Sequence, residues 1–167
     1  MIALIDADIF TYRIGFSTET VDFDIAKWRM DELVHSTLRE VGTDNYKMFL
    51  TDSAGNFRRK IYPEYHATRT QLKPKWHEQL KEYLILSYNA EIAHGQEADD
   101  ALGIAQCELD STGKTTQGIK PNSVIVSIDK DLKQIPGWHY NIFGTLQECC
   151  QSTVLQSCSL QGFSQPY

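Results

Sequence analysis

The 167 residues suffice for one domain with a substantial core, and 41% hydrophobic against 23% charged residues excludes a chain that is disordered throughout. No apolar run approaches the roughly 18 to 20 residues of a membrane span, the N-terminus enters a strand-like run without a basic leader, and Cys107, Cys149, Cys150 and Cys158 lack CxxC or Cys/His ligand spacing. A soluble cytosolic protein with free thiols is expected, and a net charge of −6 excludes a surface that is basic throughout.

Met1 to Ile5 reads as the first strand and runs into Asp6, while Asp8 is a further candidate for the same site, one that points away if strand alternation continues. Ala26 to Val41 reads as an amphipathic helix, with Ile25, Trp28, Leu33, Val34 and Leu38 approximating its apolar face and Gly42 ending it. Tyr46 to Thr51 is the second strand and runs into Asp52. The segment from Phe57 to Lys75 then holds Arg58, Arg59, Lys60, Arg69, Lys73 and Lys75 against one acid, Glu64, a charge balance that attracts phosphate. Its Tyr62, Tyr65 and Trp76 either stack on bases, as single-strand-binding surfaces do, or pack into the protein beneath a solvated basic loop. Pro74 leads into a helix over Lys75 to Leu86, and Glu91 to His94 is a short third strand. Glu97 to Leu109 has helical spacing at Ala101, Leu102, Ile104 and Ala105, and Asp110 to Asn122 is a polar loop. Ser123 to Ile128 is a buried strand that runs into Asp129. The alternation predicts an α/β fold: a mostly parallel open sheet with right-handed crossovers and helices on both faces.

In such a sheet the carboxyl ends of the strands share one edge, where ligands bind. Asp6, Asp52 and Asp129 follow three of those ends. Glu97, Asp99 and Asp100 crowd a helix start, where the helix dipole accounts for one or two acids more readily than for three. Glu97 and Asp100 fall on neighbouring helical positions, with Asp99 about 100° round. Asp131 lies two residues beyond Asp129, a spacing that is also an ordinary turn signal. Seven carboxylates on one edge repel one another unless a cation compensates them, and hard oxygen donors suit Mg²⁺ or Mn²⁺. In-line phosphoryl displacement is the chemistry that such a site serves. No GxxxxGKS loop, GxSxG elbow or HExxH helix is present, which argues against an NTPase, a serine hydrolase and a zincin, and Thr112-Gly113-Lys114-Thr115 lacks the glycine and strand of a phosphate loop. His35, His77, His94 and His139 have no paired ligand spacing.

Four pieces match a known family in order and spacing: Leu4-Ile5-Asp6-Ala7-Asp8; Phe57-Arg58-Arg59-Lys60 with Tyr62-Pro63-Glu64-Tyr65-His66-Ala67-Thr68-Arg69; Glu97-Ala98-Asp99-Asp100; and Ser127-Ile128-Asp129-Lys130-Asp131-Leu132. The chain resembles the metal-dependent 5′ nucleases, the phage 5′→3′ exonuclease and flap endonuclease group that includes the N-terminal exonuclease domain of bacterial DNA polymerase I. The resemblance spans residues 1 to about 143. It implies a PIN-like, resolvase-like domain that hydrolyses DNA near a free or flapped 5′ end with two divalent metals, and a host-cytoplasmic location for a phage-encoded protein. It also implies that Asp6, Asp52, Glu97, Asp99 and Asp100 serve the first metal, that Asp129 and Asp131 lie between the two, and that Arg69 holds the scissile phosphate. Arg58, Arg59, Lys60, Tyr65, His66, Lys73 and Lys75 complete the expected DNA-binding set. His66 stands where the family carries lysine, and a neutral imidazole supplies less charge at pH 7.

Residues 144–167 are expected to form an atypical tail, rich in Gln, Ser and Cys and partly disordered, in place of the family's helical duplex-gripping module and its two further aspartates. A truncated or frame-shifted end is therefore expected, with the second metal weakly held. Two functions stay open: a metal-dependent 5′ nuclease, or a catalytically weak or inactive DNA-binding or regulatory remnant of one. A toxin-like RNase of the wider PIN class fits the basic segment and the acidic set less well.

Overall fold

In the computed structural model, which describes residues 1–52, 55–62, 64, 72–108 and 122–149, the strand at the sheet centre is β1 (Ile2–Asp6), apolar on both faces. Its Ala3 and Ile5 point to one side and Leu4 to the other, and all three are fully buried. The remaining strands are β2 (Tyr46–Thr51), β3 (Glu91–Ala93), β4 (Ser123–Val126), β5 (Gly137–Asn141) and β6 (Thr145–Cys149). They are ordered β3-β2-β1-β4-β5-β6, with every pairing parallel except β5 with β6. The fold is thus α/β, a mostly parallel open sheet with helices on both faces.

Period-two alternation along the strands feeds two cores. Met48, Leu50, Val124 and Val126 join Ala3 and Ile5 against α1 (Ala7–Ser17), α2 (Phe23–Val41) and α4 (His77–Tyr88). Phe49 and Ile125 join Leu4 on the opposite face against α5 (Ala98–Glu108), through Ala98, Ala101, Leu102 and Ala105. From β1 the chain crosses to β2 and β3 on one side, and β4 and β5 lie on the other, so the strand order reverses between β1 and β4. That reversal opens a crevice at the carboxyl ends of these two strands, the usual ligand position in an open α/β sheet.

Several local expectations change. The reading of Asp6 and Asp8 as one continuing strand is replaced by an immediate helix: Asp6 ends β1 and caps α1, its Oδ1 accepting from Ile9 N at 3.4 Å. The helix α1, anticipated nowhere in the sequence, buries Phe10 and Ile14 four apart, together with Thr11 and Gly15. On α2 the buried stripe is Ala26, Met30, Val34, Thr37, Leu38 and Val41, while Trp28 and Ile25 of the expected apolar face are 62% and 42% exposed. Gly42 ends this helix as expected, in the left-handed region at φ 74. Phe57–Ile61, within the segment read as basic loop, forms a short helix, α3. The strand β4 stops at Val126, so Ile128 leaves the core and is 43% exposed. The two final strands were not anticipated, and β6 carries the sheet past Phe143, the residue at which the expected domain ended. Among the described residues no helix is long and apolar enough to cross a membrane.

Candidate functional site

The ends of β1 and β2 and the start of α5 are fastened together before any carboxylate is considered. Thr51, the last residue of β2, donates its backbone N–H to Asp8 Oδ2 at 2.8 Å, and its hydroxyl oxygen accepts from Ala98 N at 3.0 Å, capping α5. Beyond β4, Ser127 donates its hydroxyl to Asp6 Oδ2 at 3.2 Å and accepts from Asp129 N at 3.1 Å, tying the loop after β4 to the end of β1. Asp129 Oδ1 in turn accepts from Asp131 N at 2.9 Å, which fixes the turn into the short 3-10 helix Asp131–Gln134.

This scaffold brings Asp6, Asp8 and Asp99 into electrostatic range of one another, with Asp129 in range of Asp99. Burial, then the charges of Asp8 and Asp99, push the Asp6 carboxyl up to about 8 from its ordinary 3.8, against the lowering effect of its bonds from Ser127 and Ile9. Asp99 is raised to about 6 by burial and then by Asp129, Glu97, Asp100 and Asp8. Asp8 is thus a member of the cluster that strand alternation turned away. The signal available for it was the helix start, since an N-cap aspartate directs the second residue after it into the first turn.

The other acids are held differently. Asp100 receives both Nη1 and Nη2 of Arg58, the latter at 2.7 Å on Oδ1, and that guanidinium holds its carboxyl below the usual carboxylate range. Glu97 accepts from Asn56 Nδ2 at 2.8 Å on Oε1 and lies 3.5 Å from Arg58 Nη1 through Oε2. Asp52 fastens two loops, Oδ1 accepting from Gly55 N at 2.9 Å and Oδ2 from Gly95 N at 3.0 Å. Gly55 fits that clamp because a Cβ there would lie 2.4 Å from Asp52 Oδ2. Among the described residues no three His, Cys, Asp or Glu side chains are gathered closely enough to hold an ion.

Of the expected DNA-binding residues, Arg58 faces the acids, and Lys60 is exposed on α3. Lys73 pairs with Glu78 at 2.6 Å. Lys75 lies over the Trp76 ring at 4.0 Å from its centroid. Trp76 itself is a packing residue: it contacts Phe23, and its Nε1 donates to Thr18 O and Val21 O, both at 3.1 Å. Tyr62 is 56% exposed and donates to Glu64 Oε2 at 3.0 Å. The side chain of Arg59 and residues Tyr65, His66 and Arg69 lie outside the described residues, as do Thr112-Gly113-Lys114-Thr115. Asn56, Thr51 and Ser127 were not singled out in the sequence, where nothing distinguishes a side chain that holds an acid from an ordinary polar loop residue.

Among solved structures the fold is similar to a T5 5′-exonuclease with bound divalent metal ions (zinc), at a TM-score of 0.57 and 15% identity over 88% of this chain and 57% of that one. A bacteriophage T5 flap endonuclease in a pseudo-enzyme-product complex with DNA and metal ions gives a TM-score of 0.55 at 15% identity, over the same shares. A further T5 protein, co-crystallised with metal ions, matches at 0.55 and 16% identity, over 88% of this chain and 56% of that one. The chain therefore spans just over half the length of these T5 proteins, and at such identities the likeness shows the fold. No curated protein matches. The family model of the 5′-3′ exonuclease N-terminal resolvase-like domain matches residues 1–158, almost the entire sequence, and the chain belongs to that family.

Proposed function

We propose that the chain is a metal-dependent 5′→3′ nuclease that hydrolyses DNA phosphodiesters near a free or flapped 5′ end. The observation that carries the reading is the buried Asp6 carboxyl at the reversal of strand order, held up to about 8, with the half-buried Asp8 and Asp99 repelling it and the exposed Asp129 repelling Asp99 in turn. A protein keeps so costly an arrangement where a cation offsets it. Oxygen donors of this kind fit Mg²⁺ or Mn²⁺, and the T5 relatives solved with divalent metals and with DNA support the same assignment.

Residues with metal-ligand chemistry are Asp6, Asp99 and Asp129 near the crevice, with Asp8, Glu97, Asp100, Asp131 and Asp52 around them. When bound, divalent ions supply Lewis-acid activation of the attacking water and of the leaving oxygen. The protein's own contribution is placement. Ser127 and the Ile9 N–H orient Asp6, Thr51 orients Asp8, and Asn56 orients Glu97. Phosphate would be drawn in by the basic segment, in which the family resemblance gives Arg69 the scissile group, with His66, Lys60, Arg59, Lys73 and Lys75 beside it. Residues 1–143 carry the nuclease chemistry in this reading, and β6 (Thr145–Cys149) adds an edge strand to the same sheet.

A second reading, a catalytically weak or inactive DNA-binding remnant, is favoured by one observation: Glu97 and Asp100 are already engaged by Arg58 and Asn56. A cleavage assay decides. A 5′-labelled flap DNA and a matching single strand are incubated with Mg²⁺, Mn²⁺ or EDTA, beside Asp129→Asn. Cleavage that needs the metal and disappears in the variant supports the nuclease. Salt-sensitive DNA binding by folded protein with no cleavage in Mn²⁺ favours the remnant instead.

A further inference from the structure

We propose that Arg58 is an internal counter-cation that competes with divalent metal for Glu97 and Asp100, so that an ion enters this end of the acidic row only as the guanidinium withdraws. The inference rests on the metal-dependent reading above and adds a residue that sets metal affinity.

The acidic row divides into two unlike halves. In one, all four carboxylate oxygens have protein partners. Asp100 Oδ1 accepts from Arg58 Nη2 at 2.7 Å, and Asp100 Oδ2 accepts from Arg58 Nη1 and from Glu97 N at 3.2 Å. Glu97 Oε1 accepts from Asn56 Nδ2 at 2.8 Å, and Glu97 Oε2 lies 3.5 Å from Arg58 Nη1. In the other half Asp6, Asp8, Asp99 and Asp129 face one another, and among the described residues none of them has a Lys or Arg within ion-pairing distance.

A planar guanidinium laid across a carboxylate uses the lone pairs that a hard cation needs, and it brings one of the positive charges that the cation would bring. On Asp100 both oxygens are engaged by the Arg58 fork, so an ion there competes with the guanidinium for the same negative charge. The contact is built rather than incidental. Arg58 N donates to Asn56 Oδ1 at 2.9 Å, the same Asn56 whose amide holds Glu97, and Phe57 N donates to Gly95 O at 2.7 Å, two residues before Glu97. The start of α3 is therefore docked on the loop that presents these two acids. The Arg58 side chain is 29% exposed on its solvent side and rests against the Phe57 ring, 4.7 Å from its centroid to Cζ.

The test is direct Mn²⁺ binding by the full chain, read from the loss of the free-ion electron paramagnetic resonance signal, for wild type, Arg58→Gln and Arg58→Lys, with thermal melts in EDTA alongside. Glutamine removes the competing charge, so Mn²⁺ should bind about tenfold tighter while the melt in EDTA falls, since Glu97 and Asp100 lose their counter-ion. Lysine, which keeps the charge and loses the fork, should lie between the two. Unchanged or weaker Mn²⁺ binding by a folded Arg58→Gln protein overturns the inference and makes Arg58 an organiser of the acids. Should the glutamine variant fail to fold in EDTA, the lysine variant decides: tighter binding than wild type supports competition, and equal or weaker binding overturns it. A wild-type chain that binds no Mn²⁺ at millimolar concentration removes the metal-dependent reading itself, and this inference with it.

Discussion

Replacing Asp6 by asparagine should stabilise the protein in the absence of metal. Asp6 is 5% exposed and its carboxyl is held up to about 8, against 3.8 as its ordinary value. Because the folded value is raised, the native state keeps the proton more tightly than the unfolded chain. The stability that this group allows is fully present below pH 3.8 and is lost as the pH climbs towards 8. Integrated over that window, ionisation costs the fold about 5 kcal/mol at pH 8 and about 2 kcal/mol at pH 5. Asparagine keeps an oxygen for Ile9 N but must find an acceptor for its amide, which returns roughly 2 kcal/mol of the gain. The net advantage is then about 3 kcal/mol at pH 8 and close to zero at pH 5. At about 2 to 4 °C per kcal/mol for a chain of this size, Tm in EDTA should rise by roughly 6 to 12 °C at pH 8 and hardly at all at pH 5. Scanning calorimetry or circular-dichroism melts of the two proteins at both pH values measure it. Mn²⁺ should narrow the gap, because it stabilises the wild type more than the variant. A variant that melts below wild type at pH 8 in EDTA, or one whose shift is the same at both pH values, would refute the electrostatic account of this carboxylate.

Three further expectations concern the scaffold. Gly15→Ala places a Cβ 2.7 Å from Cβ and Cγ of Pro74, a rigid ring, and should cost about 1 to 3 kcal/mol in urea unfolding, whereas Gly103→Ala meets only the flexible tip of Ile135 at 2.9 Å and should cost far less. Asp31 accepts from Tyr83 and Tyr88 at 2.8 and 2.6 Å across α2 and α4, and burial followed by these bonds raises both phenols. Asp31→Asn should lower their ultraviolet titration midpoints and reduce stability by about 1 to 3 kcal/mol. His77 is buried with Nε2 lacking a hydrogen-bond partner, and burial lowers its pKa below 6.5. Its neutral form is therefore favoured in the fold, and the associated stability is present above pH 6.5 and lost as the pH falls. His77→Leu should flatten the dependence of Tm on pH between 7 and 5, and an unchanged slope would remove His77 from that account.

The parallel sheet was legible because its strands are buried on both faces, so Ile2–Asp6, Tyr46–Thr51 and Ser123–Val126 appear in the sequence as nearly continuous apolar runs. The two C-terminal strands were not, since Gly-Trp-His-Tyr-Asn and Thr-Leu-Gln-Glu-Cys carry no such run, and pairing at the sheet margin decides their conformation. α1 escaped for a related reason: Ala-Asp-Ile-Phe-Thr-Tyr-Arg-Ile-Gly-Phe-Ser mixes β-branched, aromatic and glycine residues, and the helix is set by its Asp6 cap and by packing on α4. Missing that helix also misdirected Asp8, since a residue judged by period two looks away from a site that it faces at period 3.6.

For the site, composition identified the acids but not their allegiances. Asp52 and Asp6 each end an apolar run and are indistinguishable in the sequence, yet Asp52 accepts from Gly55 and Gly95 while Asp6 faces Asp8 and Asp99. The chain's course beyond each strand makes the difference. After β1 it turns at once into a helix, whose first N–H groups leave most of the Asp6 charge unspent, whereas after β2 a loop delivers the Gly55 N–H to Asp52 and the loop after β3 delivers that of Gly95. The same logic governs Arg58: a cation in a basic stretch reads as a phosphate ligand until the fold puts two carboxylates within its reach, at 2.7 Å for Asp100 and 3.5 Å for Glu97. A metal titration that distinguishes Asp6→Asn, which should lose an ion, from Asp52→Asn, which should lose loop order and stability first, would show whether these two roles are separable. Equal loss of Mn²⁺ affinity in both variants, with an unchanged melt for Asp52→Asn, would place Asp52 among the ligands after all.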